Sequence, residues 1–240
     1  MKNLHSNICS LRLSLLLAGT ITLSACGEAS GPTREQLVAE FPSVERDSTR
    51  PENPEILCPF VRMLERSGLL DETLEDQETL EVSTAELTAA AEVFGCAPLE
   101  CGTVAATVAV GQPGALGVDI GRLHQATGIA HDCGLTFAKD ATQVTPERRQ
   151  ATLDRLARLA DEQGRLSYDN LLEVKLATCA EEGVSITGAG RTETRLIFAY
   201  LGGVDNGCIT LYDVESFLHA SMPSVKTRDM VDLGLLSRVR

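Results

Sequence analysis

The sequence predicts an all-α fold, a single helical domain. Apolar residues recur at spacings of three and four. Ser or Thr caps open these stretches and Gly or Pro closes them. Alternating strand runs are absent. The 240-residue chain has no Trp and 4% aromatic residues, so Leu, Val, Ile and Ala supply the packing.

In chain order, residues 27–54 hold Gly, Pro, Ser and mixed charge with little apolar period, and read as a tether. A short helix follows Cys58: Pro59 suits the first helical position, Val61 and Leu64 make a face, and Gly68 stops it. Ser83-Thr84-Ala85-Glu86 is a capping box opening an Ala-rich helix that ends near Gly95. Residues 103–110 form a buried apolar segment, helix or strand. Thr145-Pro146 starts a helix with Leu153, Leu156 and Leu159 at helical spacing, stopped by Gly164. Ser167 caps the next, with Leu172 and Leu176 on one face and its end at Gly183. Thr192 to Leu201 is a further helix, closed by Gly202-Gly203. Thr210-Leu211-Tyr212-Asp213 caps a last helix that stops before Pro223.

The N-terminus reads as a targeting segment. Lys2 and Arg12 flank an apolar core, Leu13 to Leu23, too short for a permanent span. Leu23-Ser24-Ala25-Cys26 then resembles the lipobox of bacterial lipoproteins, which implies cleavage before Cys26 and acylation of that residue; the alternative is an ordinary secretory site with an incidental Cys. Several acyl chains on one residue anchor stably. Gly27, rather than Asp, points to the outer membrane in a Gram-negative cell. The expected organisation is a signal over 1–25, a lipid-anchored tether over 26–53, the domain over 54–224 and a C-terminal tail over 225–240.

Cleavage removes Lys2 and Arg12 and no acid, moving the net charge from −13 to about −15. So acidic a surface argues against nucleic acid and anionic lipid as partners, and no protein partner is indicated. Eight Cys fit an exported chain. Once Cys9 leaves and Cys26 takes lipid, Cys58, Cys96, Cys101, Cys133, Cys179 and Cys208 remain. Cys96 and Cys101 are close enough in sequence to close a small loop. No zinc-type Cys-x-x-Cys pair appears.

Cys58 occupies a helix N-cap. The positive helix end and the N–H groups of Phe60 and Val61 favour a thiolate there, and with it a metal ligand. From spacing alone, a disulfide half or a buried free thiol is the simpler reading. Glu193, read alone, is a first-turn helix acid favoured by the dipole. His131-Asp132, read alone, is a local hydrogen-bonded pair. His124 and His219 read as structural or exposed, and the acid-rich run Asp71 to Glu81 as a solvated face.

Four stretches taken together say more. Leu57-Cys58-Pro59-Phe60, Ile129-Ala130-His131-Asp132-Cys133, Ser167 to Leu176 and Arg191 to Phe198, in this order, resemble the chloroperoxidase and unspecific-peroxygenase family of haem-thiolate enzymes. The likeness continues through Tyr212 to Phe217 and Pro223, and covers roughly residues 54–224. It implies a chloroperoxidase-type helical domain binding haem b, with Cys58 as the axial iron ligand. Such a thiolate pushes electron density onto iron and favours O–O cleavage. Glu193 would move the proton of hydrogen peroxide as acid-base, a role worth about 10²–10⁴ in rate. His131 would orient Glu193, and Asp132 would hold His131. The oxidant formed would act on a halide, an aromatic or another small organic substrate. Cys96 and Cys101 look like the family's small disulfide loop.

The chain departs from the family pattern at several places. Leu57 replaces the first Pro of the Cys motif. Ala130 and Gly134 stand where the family has an acid and a hydroxyl that help hold a divalent ion near a haem propionate, so two ligands of that site are missing. Arg195 replaces a small or apolar residue two positions after Glu193. The missing acid before His131 and the poor aromatic content favour a second reading, a haem-free helical envelope lipoprotein used for binding or assembly.

Overall fold

The computed structural model describes residues 30–75, 79–112, 114, 117–130 and 133–240. Cys26, with the signal and anchor around it, lies outside these, as do His131 and Asp132.

The architecture is mostly helical, as the sequence predicts. The chain runs through α1 (Arg34–Glu40), α2 (Pro59–Ser67), α3 (Asp71–Leu74), β1 (Glu81–Val82), α4 (Thr84–Val93), α5 (Pro98–Gly111) and β2 (Val118–Asp119). It continues through a 3₁₀ turn to α6 (Pro146–Leu159), β3 (Arg165–Leu166), α7 (Tyr168–Glu181), α8 (Gly188–Tyr200), α9 (Gly203–Asn206), β4 (Ile209–Thr210), α10 (Leu211–Leu218) and α11 (Leu233–Ser237). The four strands are two residues each, paired antiparallel as β1–β2 and β3–β4. They clip neighbouring loops together and build no layer. Among the described residues no helix is long and apolar enough to cross a membrane.

Local chemistry explains the boundaries. Pro59 opens α2 and Gly68, at φ 91°, closes it in the left-handed region that side chains resist. Ser83 and Glu86 make a reciprocal capping box on α4, and Ser167 and Asn170 make one on α7. α4 and α5 form a hairpin in which a Cβ on Gly102 would touch the Thr88 side chain at 3.7 Å. The core is continuous, from Leu37 and Val44 through Met63, Leu64, Phe94 and Leu156 to Val214, Phe217 and Leu218.

Four expectations are corrected. The tether ends earlier than residue 53: Thr33 and Gln36 cap α1 reciprocally, and Leu37 and Val44 are buried. The seven residues of α1 are too short to show an apolar period, although the Thr-x-x-Gln box was there to be read. The tail over 225–240 is also packed, with Val231, Leu235 and Val239 buried; Ser30 bridges to Asp229, and Lys226 Nζ donates to the Pro32 carbonyl at 2.5 Å. Residues 103–110 are helical but largely exposed, with Ala105 and Val108 turned inward. On α7 the buried face is Tyr168, Leu171, Val174, Lys175, Thr178 and Cys179, and Leu176 is exposed. A lysine inside that stripe hid the true face.

Candidate functional site

Cys58 is the N-cap of α2, and its thiol is free and half-buried. A helix N-terminus by itself lowers the pKa of a thiol at the N-cap. Burial instead pushes the thiol up, and the Glu193 carboxylate adds to the rise. The N–H groups of Val61 and Phe60 and the Arg62 guanidinium pull the other way and are outweighed. Desolvation of a charge exceeds what one helix end supplies.

The loop that presents Cys58 is stitched from below by Arg62, one turn into α2 and fully buried. Its Nη1 donates to the carbonyls of Ile56 at 2.6 Å and Leu57 at 3.4 Å, and its Nη2 to that of Leu218 at 2.8 Å. Nε meets Glu52 Oε2 at 2.9 Å. The other oxygen of Glu52 takes Arg149 at 2.5 Å and stands 3.9 Å from His219 Nδ1. The fork geometry of Arg allows one side chain to hold three carbonyls and a carboxylate. None of these partners was visible in the spacing, because they come from four separate segments.

Glu193 lies in the second turn of α8. The expectation of a first-turn acid is corrected, since the helix starts at Gly188 behind the Thr187 cap. Gly188 and Gly190 are poor helix formers and concealed that start. The Glu193 carboxylate forms an ion pair and hydrogen bond with Lys175 Nζ on α7. The Lys175 side chain is 0% exposed and that of Glu193 17%. Sequence reasoning gave Lys175 no role. The signal was an ammonium at a core position of α7, which needs a carboxylate across the interface.

Cys179, one turn beyond Lys175 on the same face, is joined by a disulfide to Cys133. Cys96 and Cys101 form a second disulfide, and Cys208 is free. The segment after Cys133 reaches the Cys58 loop: Phe137 and Val144 pack on Leu57, and Val144 N–H donates to the Pro54 carbonyl at 2.7 Å. Four stretches distant in sequence thus meet around Cys58, Glu193 and Lys175. His131 and Asp132 immediately precede Cys133 in sequence and lie outside the described residues. Among the described residues no three His, Cys, Asp or Glu side chains cluster as metal ligands.

The arrangement places an unpaired thiol within electrostatic reach of a carboxylate whose charge is compensated by a buried ammonium. No protein-family model matches the chain, and no curated protein matches it.

Proposed function

We propose that the chain is a chloroperoxidase-type haem-thiolate peroxidase or peroxygenase, exported and lipid-anchored through Cys26, acting with hydrogen peroxide on a halide or small organic substrate. The observation that carries this reading is the convergence of the free Cys58 thiol and the Glu193–Lys175 pair from segments that resemble that family. Cys58 supplies the one sulfur donor that haem b would take on the proximal side. Cys58 and Cys208 are the free thiols among the described residues, and Cys58 is the one at a helix N-cap, while Cys96, Cys101, Cys133 and Cys179 are consumed in disulfides. The raised thiol pKa works against the thiolate, and the charge of a bound metal would have to overcome it.

Cys58 Sγ would hold the iron. Haem, when bound, supplies peroxide O–O cleavage and the oxidising equivalents. Glu193 would take the proton from hydrogen peroxide at a carboxylate oxygen and deliver it to the departing oxygen. Lys175 holds that carboxylate in place through their ion pair. Arg62 fixes the carbonyls of Ile56 and Leu57, and so the direction from which Cys58 is offered. His131 would orient Glu193, with Asp132 behind it.

The test is an absorption spectrum of the purified chain with haemin. The reduced carbon monoxide adduct should show the red-shifted Soret band of a thiolate ligand, and Cys58→Ala should lose it. Glu193→Gln should keep haem and slow peroxide cleavage by about 10²–10⁴. A folded chain that takes up no haem would instead support the haem-free envelope lipoprotein, a reading favoured by Ala130 in place of the acid and by the low aromatic content of the chain.

A further inference from the structure

α5 presents a face that nothing in the described chain covers. Leu99 is 78% exposed, Val110 90% and Val104 50%. Leu99, Thr103, Ala106 and Val110 recur at helical spacing and form one stripe, while Ala105 and Val108 face the protein. The helix carries a single charged residue, Glu100, at the edge of the stripe. The threonines add little polarity. Thr103 Oγ1 donates to the Leu99 carbonyl at 2.7 Å, and Thr107 Oγ1 to the Thr103 carbonyl at 2.8 Å. Both hydroxyls are satisfied inside the helix without water, as such side chains are in apolar surroundings.

The chain enters the fold beside this helix. A Cβ on Gly31 would touch the Gly95 Cα at 3.5 Å, and Gly95 lies two residues before Ala97, the N-cap of α5. The Ala97 N–H donates to the Val231 carbonyl at 3.1 Å, and the Gly31 N–H to that of Arg228 at 2.6 Å, which ties this corner together. Ser30 lies four residue steps from Cys26, a reach of at most about 14 Å.

We infer that the outer face of α5 lies in the interfacial layer of the membrane to which Cys26 is anchored. The inference rests on the lipid-anchored reading of Cys26 and is independent of haem. A short tether attached at the N-terminal corner of α5 brings Leu99 to the lipid surface. The stripe from Leu99 to Val110 then lays the ~20 Å helix along it. The surface in question is zwitterionic. A chain of net charge −13 before processing is repelled by anionic headgroups.

The absence of Trp from the chain makes a single introduced Trp an unambiguous reporter. The lipidated full chain carrying Val110→Trp is reconstituted into phosphatidylcholine–phosphatidylethanolamine vesicles, with Tyr212→Trp, on α10 and 52% exposed, as the control. Trp at 110 should shift to the blue on vesicle binding and be quenched by brominated phosphatidylcholine, and Trp at 212 should do neither. Raising the phosphatidylglycerol content should reduce the shift at low salt. A chain that floats with the vesicles while Trp at 110 stays unshifted overturns the assignment of this face. A blue shift without vesicles that tracks a doubling of mass also overturns it, in favour of a second copy of the chain. A chain that fails to float and carries no acyl mass on Cys26 overturns the inference through its anchor.

Discussion

Lys175 Nζ, shielded from solvent on α7, is ion-paired with the Glu193 carboxylate on α8. This pair joins α7 to α8 and holds the proposed acid-base against a buried ammonium.

Glu193→Gln leaves the Lys175 ammonium buried without its counter-charge, and should cost about 3–5 kcal/mol. Lys175→Met combined with Glu193→Gln replaces the pair by groups of similar volume and should recover most of that loss. Urea unfolding of the two variants decides the matter: equal midpoints would mean that Lys175 does not depend on Glu193 for its burial.

Arg62→Met frees the carbonyls of Ile56, Leu57 and Leu218 and leaves Glu52 short of one cation. A loss of about 3 kcal/mol is expected. Arg62→Lys should restore only part of it, since one ammonium cannot fork across these acceptors. In both variants alkylation of Cys58 should quicken while that of Cys208 stays constant, as read by peptide mass spectrometry. Unchanged Cys58 reactivity would show that Arg62 does not position the loop.

The raised pKa of the Cys58 thiol has a defined sign in stability. Below the ordinary thiol value of 9.0 both folded and unfolded chains carry it neutral, and it contributes no pH dependence. As pH rises through that value the unfolded chain ionises first, so stability falls until the folded pKa is reached. Apoprotein carrying Cys58→Ser should show a shallower loss of stability above this pH than the parent. Parallel curves for the two would refute the shift.

The Cys133–Cys179 disulfide closes a loop with a sequence separation of 46. The chain-entropy relation assigns such a closure about 4 kcal/mol. Cys133→Ala with Cys179→Ala should lower the urea midpoint accordingly. It should also raise hydrogen exchange in residues 133–144 more than in α10, measured by mass spectrometry. Uniform exchange across both would show that the bond does not act locally.

The helices that open on a Ser or Thr box could be read directly, because a cap is a local signal four residues long. Cys58 at the start of α2 was legible for the same reason. α8 was misjudged at its start, since its first turn carries Gly188 and Gly190 and its cap Thr187 stands before no apolar run. The packing of Leu37, Val44, Val231 and Val239 was hidden because each sits in a segment too short to display a period. The Arg62–Glu52–Arg149 floor and the Lys175–Glu193 pair are tertiary facts. Nothing in a linear pattern says which of many charges will be taken out of water together.

The meeting of Ser30 with Asp229, reinforced by Lys226 on Pro32, clasps the segment leading into α1 to the C-terminal segment. Shortening the polypeptide from Arg240 back past Lys226 would therefore unfasten α1 as surely as trimming it from the front. A reporter fused after Arg240 would ride beside the entry point of the fold, on the flank where α5 begins.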